Sequence, residues 1–111
     1  MAGVSLLGEF EHLVLLAAIR LNEGAYGASI RAEIAKCTGR AVAPGALYTT
    51  LDRLEEKGFV SSRLGEPTPQ RGGRPKRFYR VTASGARAVT RAQLAFGALA
   101  KGIPLFGASN A

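Results

Sequence analysis

Six basic side chains between positions 63 and 80 are the residues whose type and spacing best suit a binding site for an anion. They are Arg63, Arg71, Arg74, Lys76, Arg77 and Arg80, and six positive charges against the single acidic residue Glu66 give this segment a net charge of +5. Residues 1–60 instead carry six basic and seven acidic side chains, so the positive charge is local. Such a patch suits a polyanion such as nucleic acid, although a solvated basic loop has the same composition.

Turn-forming residues lie among these basic side chains, which suits contact with phosphate groups. Arg71, Arg74 and Lys76 flank Gly72-Gly73 and Pro75. The glycines let the backbone turn tightly and approach a phosphate, and each basic side chain can contribute one phosphate contact. We therefore expect these three residues to bind the DNA backbone if the patch serves nucleic acid.

The other reactive residue types are too few for a metal centre or a catalytic site. His12 and Cys37 are the only histidine and cysteine, which excludes an intrachain disulfide and a structural zinc site. We expect Cys37 to be a small core residue and His12 to be structural or solvent-facing. No motif pairs a nucleophile with a base, so we expect neither an enzyme nor a cofactor.

The composition is that of a globular protein, with 47% apolar and 21% charged residues. The longest apolar run, Leu13 to Ile19, is too short to span a bilayer. The N-terminus lacks the basic stretch and long apolar core of a secretory signal. We therefore expect a cytoplasmic protein without a membrane partner.

Hydrophobic periodicity predicts a mostly α-helical fold with one small β-hairpin. Helices are expected at about residues 8–22, 28–38, 44–57 and 84–100, and strands at 59–64 and 76–81, with the basic loop between the strands. The third helix has the clearest signal because Pro44 suits a first helical position. In addition, Leu47, Leu51 and Leu54 recur on one helical face, which we expect to be buried.

A helix, a short turn and a second helix, followed at once by a two-stranded hairpin, form a winged helix-turn-helix. Such a helix fits the major groove of DNA, where each base pair has a distinct donor and acceptor pattern, and the hairpin tip can lie along the backbone. With its leucines inward, the third helix presents five candidate DNA-binding residues outward or to the sides: Gly45, Tyr48, Thr49, Thr50 and Arg53. Each residue alone is also compatible with an ordinary helix surface.

Three stretches of the sequence resemble the PadR family of winged-helix repressors, over about residues 6–101. Residues 7–11 (LGEFE) and the leucine-rich run after them look like the first helix of that family. The stretch 42–60 contains Pro-Gly-x-Leu-Tyr-x-x-Leu-x-x-Leu and looks like its recognition helix, and 72–85 looks like its wing. The middle stretch is quite specific, whereas either outer stretch alone is weak.

The resemblance implies a homodimeric repressor that binds a palindromic operator on double-stranded DNA. It implies that Tyr48 contacts the DNA backbone and that Gly45 and Thr49 lie at the major groove. It also implies a winged helix-turn-helix domain over residues 6–83 and a C-terminal dimerisation helix with its tail over 84–106. The last helix has one apolar face, and its residues are the expected dimer interface: Val89, Ala92, Phe96 and Leu99.

Some family members bind flat aromatic effectors between their subunits through tryptophan. This chain has no tryptophan. Phe96 and Phe106 are candidates to line such a pocket, although we expect them to pack in the core or the interface instead, and any effector stays unidentified. Two other functions are compatible with the basic patch, namely an RNA-binding module and a winged helix that contacts another protein. The small number of aromatic residues argues against single-stranded RNA, which is commonly bound by stacking.

Overall fold

The computed structural model describes residues 6–66 and 75–105. In chain order they form helix α1 (Glu9–Leu21), a 3-10 turn (Asn22–Gly24), helices α2 (Gly27–Thr38) and α3 (Pro44–Glu56), strands β1 (Val60–Leu64) and β2 (Arg77–Val81), and helix α4 (Ala83–Ala100). The predicted order is confirmed, and every predicted boundary lies within one residue of the observed one. None of the helices in the described ranges is long and apolar enough to cross a membrane.

The core forms around α1, which contacts the other three helices and β2. Its buried apolar residues are Val14, Leu15, Ala17 and Ala18, and those of α3 are Leu47, Leu51 and Leu54. All three leucines of α3 are fully buried, as their spacing predicts. The opposite face of α3 is therefore held outward by the packing of its leucines against the core.

The expectation that Cys37 is a core residue is wrong, because its side chain is exposed. On α2, Ile30 and Ile34 are the residues that pack inward. Cys37 lies one turn after Glu33 on the flank of the helix, with its Sγ 3.6 Å from a Glu33 carboxylate oxygen. The same carboxylate accepts a 2.8 Å hydrogen bond from Arg20 of α1, so this flank is polar.

The two strands form an antiparallel hairpin whose faces differ in environment. Val60 pairs with Val81 and Ser62 with Tyr79, and because directly opposite residues share a face, these four lie on the side toward the core. Val60 and Tyr79 are buried there, and burial raises the pKa of the Tyr79 phenol. On its other edge β2 pairs with the segment before α2, since the Tyr79 N–H donates to the Ala25 carbonyl at 2.8 Å.

Local signals explain where the helices begin and end. α1 stops at Asn22, which has a φ of 54°, and α2 stops at Gly39, which has a φ of 75° that glycine adopts readily. At the start of α4 the Thr82 hydroxyl accepts the Gly85 N–H at 3.1 Å, so Thr82 caps this helix. At the start of α3, Ala43 has no side chain that can accept a hydrogen bond.

Gly85 lets α4 pack against the end of the hairpin, and its replacement gives a stability prediction. A methyl group at this position would overlap the Phe59 carbonyl oxygen and lie 2.9 Å from Val81 Cγ1. Because the first of these atoms is backbone, we expect Gly85→Ala to destabilise the fold by about 1–3 kcal/mol, measured by thermal unfolding.

The matched control is Gly97→Ala in the same helix, where an added Cβ meets no atom of the described chain within 4 Å. There the higher helix propensity of alanine should stabilise the fold by about 0.5–1 kcal/mol. Equal melting temperatures for the two variants would refute the tight packing at Gly85.

Candidate nucleic-acid interface

The N-terminal half of the exposed face of α3 has no acidic residues, whereas the C-terminal half has three. Gly45, Tyr48 and Thr49 are exposed in the N-terminal half, as predicted. The C-terminal half instead exposes its three carboxylates, those of Asp52, Glu55 and Glu56. Because carboxylates repel phosphate, the N-terminal half is the part of α3 that suits a polyanion.

Thr50, another of the predicted DNA-binding residues of α3, is much less exposed than Gly45, Tyr48 and Thr49. Its side chain is only 7% exposed. Thr50 lies three residues after Leu47 and four before Leu54, which places it beside the buried leucine stripe. Thr50 therefore offers less of its side chain to a ligand than the exposed residues of α3 do.

Arg53 is exposed, but it lies in the acidic half of α3 and near α1. Its neighbour Glu11 accepts hydrogen bonds from Lys57 Nζ at 2.7 Å and from the Gly8 N–H at 3.1 Å. Burial tends to raise the pKa of Glu11, but these hydrogen bonds and the charges of Lys57 and Arg53 outweigh it, so that pKa lies below its ordinary value. Arg53 thus interacts electrostatically with Glu11 of its own chain.

Tyr48 lies against the first turn of α2, where a glycine makes room for it. A methyl group on Gly27 would overlap the Tyr48 hydroxyl and lie 2.7 Å from Tyr48 Cζ. Tyr48 is nevertheless 46% exposed. Its phenol therefore lies at the surface over the junction between α2 and α3. It can lie this close to α2 because Gly27 has no side chain.

Helices α2 and α3 both begin beside Tyr48 without a side-chain cap among the described residues. The Ser29 hydroxyl accepts the Tyr26 N–H at 2.9 Å and donates to the Gly24 carbonyl at 2.6 Å, so it orders the turn before α2. No side chain of the described residues accepts the first N–H groups of α2, or those of Gly45 and Ala46 in α3, where Pro44 itself has no N–H. Uncapped N–H groups and the positive end of the helix dipole favour anions such as phosphate.

Aromatic rings hold two cations of the hairpin stem in place. The Lys76 Nζ lies 5.2 Å from the centroid of the Tyr26 ring, and the Arg63 guanidinium lies 4.9 Å from that of Phe78. The two rings contact each other edge to face at 5.4 Å. Lys76, one of the predicted site residues, is thus exposed and fixed by a ring at the start of α2.

Arg71 and Arg74, the other two predicted wing residues, lie outside the described residues. The neighbouring Arg77 is directed away from the wing tip, because it donates to the Ser62 hydroxyl at 3.0 Å. Ser62 in turn donates to Glu55 of α3 at 2.9 Å. This chain of hydrogen bonds connects the stem of the hairpin to α3.

Sequence reasoning did not identify the contributions of Tyr26 and Gly27 to this surface. Tyr26 packs on Phe78 and under Lys76, and Gly27 makes room for Tyr48. The only local signal was an aromatic residue followed by glycine at the start of a helix. Their contacts join residues at least 21 positions apart, which the local pattern does not reveal.

The predicted dimer residues on α4 fall into two groups. Val89 and Ala92 are buried by the rest of their own chain, so their assignment to the dimer interface is corrected. Phe96 and Leu99 continue the same helical face beyond this contact and are 57% and 77% exposed. The Phe96 ring lies 6.4 Å from that of the buried His12 of α1, so one side of Phe96 faces α1.

Comparison with known proteins identifies the family. The family model of the transcriptional regulator PadR-like family matches residues 15–91, whereas no curated protein matches the chain. A PadR family transcriptional regulator from Eggerthella lenta is similar at 28% identity, with a TM-score of 0.65 over 86% of this chain and 82% of that one.

Two further solved structures share the fold. A PadR family transcription regulator from Clostridium difficile has 20% identity and a TM-score of 0.68 over 85% of this chain and 93% of its own. A PadR-like transcription factor from Bacteroides fragilis has 23% identity and a TM-score of 0.65 over 81% and 82%. These structures confirm the winged helix-turn-helix fold, and with the match over residues 15–91 they show that the chain belongs to the PadR-like family of transcriptional regulators.

Proposed function

We propose that the chain is a homodimeric repressor that binds a two-fold symmetric DNA operator through α3 and the hairpin. The observation that carries this proposal is the surface around Tyr48. There the half of α3 without acidic residues and two helix N-termini without side-chain caps lie beside one exposed phenol, and the cation Lys76 lies over the ring of Tyr26, next to Gly27. All of these features favour phosphate, and they surround a helix face that fits a major groove.

In the proposed complex, the exposed residues of α3 contact different parts of the DNA. Gly45 has no side chain, so the helix backbone can approach the base edges closely at this point. Thr49 offers a hydroxyl and a methyl group for base edges, and Tyr48 offers its hydroxyl to a backbone phosphate. Arg53 contacts phosphate at the edge of the surface, and Lys76, Arg71 and Arg74 bind the backbone from the wing.

On the protein side, residues 84–106 form the dimerisation region, and residues 6–83 bind DNA. Phe96 and Leu99 of one subunit pack against the second copy, which removes from water an apolar patch that a single chain leaves exposed. The two copies of α3 then enter successive major grooves about 34 Å apart. Binding over a promoter in the cytoplasm excludes the transcription machinery, which makes the protein a repressor.

Duplex DNA suits the structure better than single-stranded RNA. The rings of Tyr26 and Phe78 already contact each other and two cations. They are therefore not free to stack on unpaired bases, which is the usual way of binding a single strand.

The salt dependence of duplex binding tests the electrostatic part of this proposal. We expect the logarithm of affinity to fall linearly with the logarithm of salt concentration, because bound lysines and arginines release counterions. Lys76→Gln should reduce this slope by about one per subunit and weaken binding to all duplexes alike. Lys101→Gln, a charge-matched change beyond the end of α4, should leave the slope as it is. An unchanged slope for Lys76→Gln would remove Lys76 from the interface.

Base reading by α3 has its own test in Thr49→Ala. Thr49 is exposed and faces outward beside Gly45. We expect the variant to lose discrimination at one base position of each half-site by about 1–3 kcal/mol, with smaller losses elsewhere. Binding measured across a panel of single-base variants would show this, whereas an unchanged preference profile would exclude Thr49 from base contact.

A further inference from the structure

A polar groove lies between the hairpin and the turn after α1, and it shares Arg63 and Phe78 with the cation–aromatic cluster described above. It has a volume of about 340 Å³. One wall is the turn after α1, and the other is formed by strands β1 and β2. The lining residues are Asn22, Glu23, Ser61, Ser62, Arg63, Phe78, Tyr79 and Arg80.

Strand register brings two arginines together in this groove. Ser61 pairs with Arg80, and Arg63 pairs with Phe78. Opposite residues share a face and alternate residues along a strand do too, so Arg63 and Arg80 are diagonal neighbours on one face. The Phe78 ring holds the Arg63 guanidinium at 4.9 Å, which limits the positions it can adopt beside Arg80.

These charges are not neutralised within the part of the chain that the structure describes. Its three ion pairs join Arg20 to Glu33, Arg40 to Glu9 and Lys57 to Glu11, and none of them includes Arg63 or Arg80. Glu23 lies on the opposite wall without forming an ion pair to either arginine among these residues. Among the described residues, the groove therefore combines two guanidinium groups that form no ion pair with one carboxylate on the opposite wall.

We propose that this groove binds a small phosphorylated polyol, such as a sugar phosphate. Two guanidinium groups and the Ser61 hydroxyl match the charge and the oxygen atoms of a phosphate monoester. Glu23 repels a bare anion, but it accepts hydrogen bonds from hydroxyl groups, as does the Asn22 amide oxygen. A molecule with a phosphate at one end and hydroxyls at the other satisfies both walls.

Titration of the isotope-labelled full chain with ribose 5-phosphate, at constant ionic strength and without DNA, tests the proposal. We expect saturable shifts of the amide resonances of Asn22, Ser61 and Arg80, with a dissociation constant in the millimolar range or below. Arg80→Gln should weaken this binding at least tenfold, whereas the charge-matched control Arg87→Gln on α4 should leave it unchanged. Shifts that do not saturate, or an equal loss in both variants, would overturn the proposal.

A second variant tests the role of the carboxylate. The native protein should bind ribose 5-phosphate more tightly than inorganic phosphate, because Glu23 accepts from the sugar. Glu23→Ala should remove most of this preference, because it deletes the acceptor of the sugar hydroxyls while relieving the repulsion of both phosphate groups alike. Equal binding of the two probes by the native protein would contradict the polyol specificity.

DNA itself is the other source of phosphate, and duplex binding distinguishes the two. Arg80→Gln should lower affinity for a duplex no more than Arg87→Gln does. A larger loss would assign Arg80 to the DNA backbone and overturn the proposal. Because the titration with ribose 5-phosphate contains no DNA, its outcome is independent of whether the proposed operator binding is correct.

Discussion

Phe96→Glu is expected to convert the protein from a dimer to a monomer. Phe96 lies on the face of α4 whose earlier residues, Val89 and Ala92, are buried within the chain. Beyond them the described chain leaves most of Phe96 and Leu99 exposed, so a second copy is the natural partner for these side chains. A carboxylate at position 96 would have to be buried there without a partner, which is strongly unfavourable. Light scattering would measure the mass directly.

The same change should weaken binding to a symmetric site about 100-fold or more. A monomer holds only one half-site, and the effective concentration that links the two half-sites is lost. Thr90→Glu is the matched control, because it adds the same charge on the opposite side of α4. A Phe96→Glu variant that remains dimeric would place the interface elsewhere on the chain.

Gly27→Ala is expected to weaken DNA binding without unfolding the protein. The new methyl group would occupy the position of the Tyr48 hydroxyl, and the phenol is the part that can move. Gly27 does not have a positive φ, so alanine fits the backbone of α2. If the Tyr48 hydroxyl donates to a phosphate, its displacement should cost about 1.5–3 kcal/mol per half-site, which is tenfold or more in affinity.

Two comparisons isolate this effect. Gly24→Ala introduces the same methyl group three residues earlier, where it meets no atom of the described chain within 4 Å, and it should leave affinity unchanged. In a Tyr48→Ala background, Gly27→Ala should cost nothing further, because the two changes remove the same contact. Additive losses would show that Gly27 acts on DNA binding independently of Tyr48.

Local patterns predicted the elements of the fold well because each element has strong local signals. The spacing of Leu47, Leu51 and Leu54, the hydroxyl of Thr82 and the glycine at position 39 each act within one or two helical turns. Boundaries that depend on such short-range interactions can be inferred from sequence alone.

The sequence-based assignments that differ from the structure share a physical cause. Hydrophobic periodicity shows which way a helical face points, but not whether another part of the same chain covers it. Val89, Ala92, Phe96 and Leu99 follow one face, yet the first two are covered by the same chain and the last two are not. Thr50 and Cys37 lie at the edges of buried faces, where small differences in packing decide exposure. The sequence pattern could not distinguish these cases.

Contacts between distant residues account for the rest of the candidate site. The position of Tyr48 depends on Gly27, and that of Lys76 depends on Tyr26. Such pairs come together only when the hairpin and the first turn of α2 pack against each other. Neither residue type signals its partner, so the geometry of the site had to come from the structure.

Selection of bound duplexes from a random pool by the purified full chain, at moderate salt, tests the central claim most directly. The proposed dimer predicts enrichment of a two-fold symmetric motif whose half-sites are one helical turn apart. Recovery of no common motif by a folded protein would contradict sequence-specific operator binding and would leave only nonspecific attraction between the basic wing and phosphate.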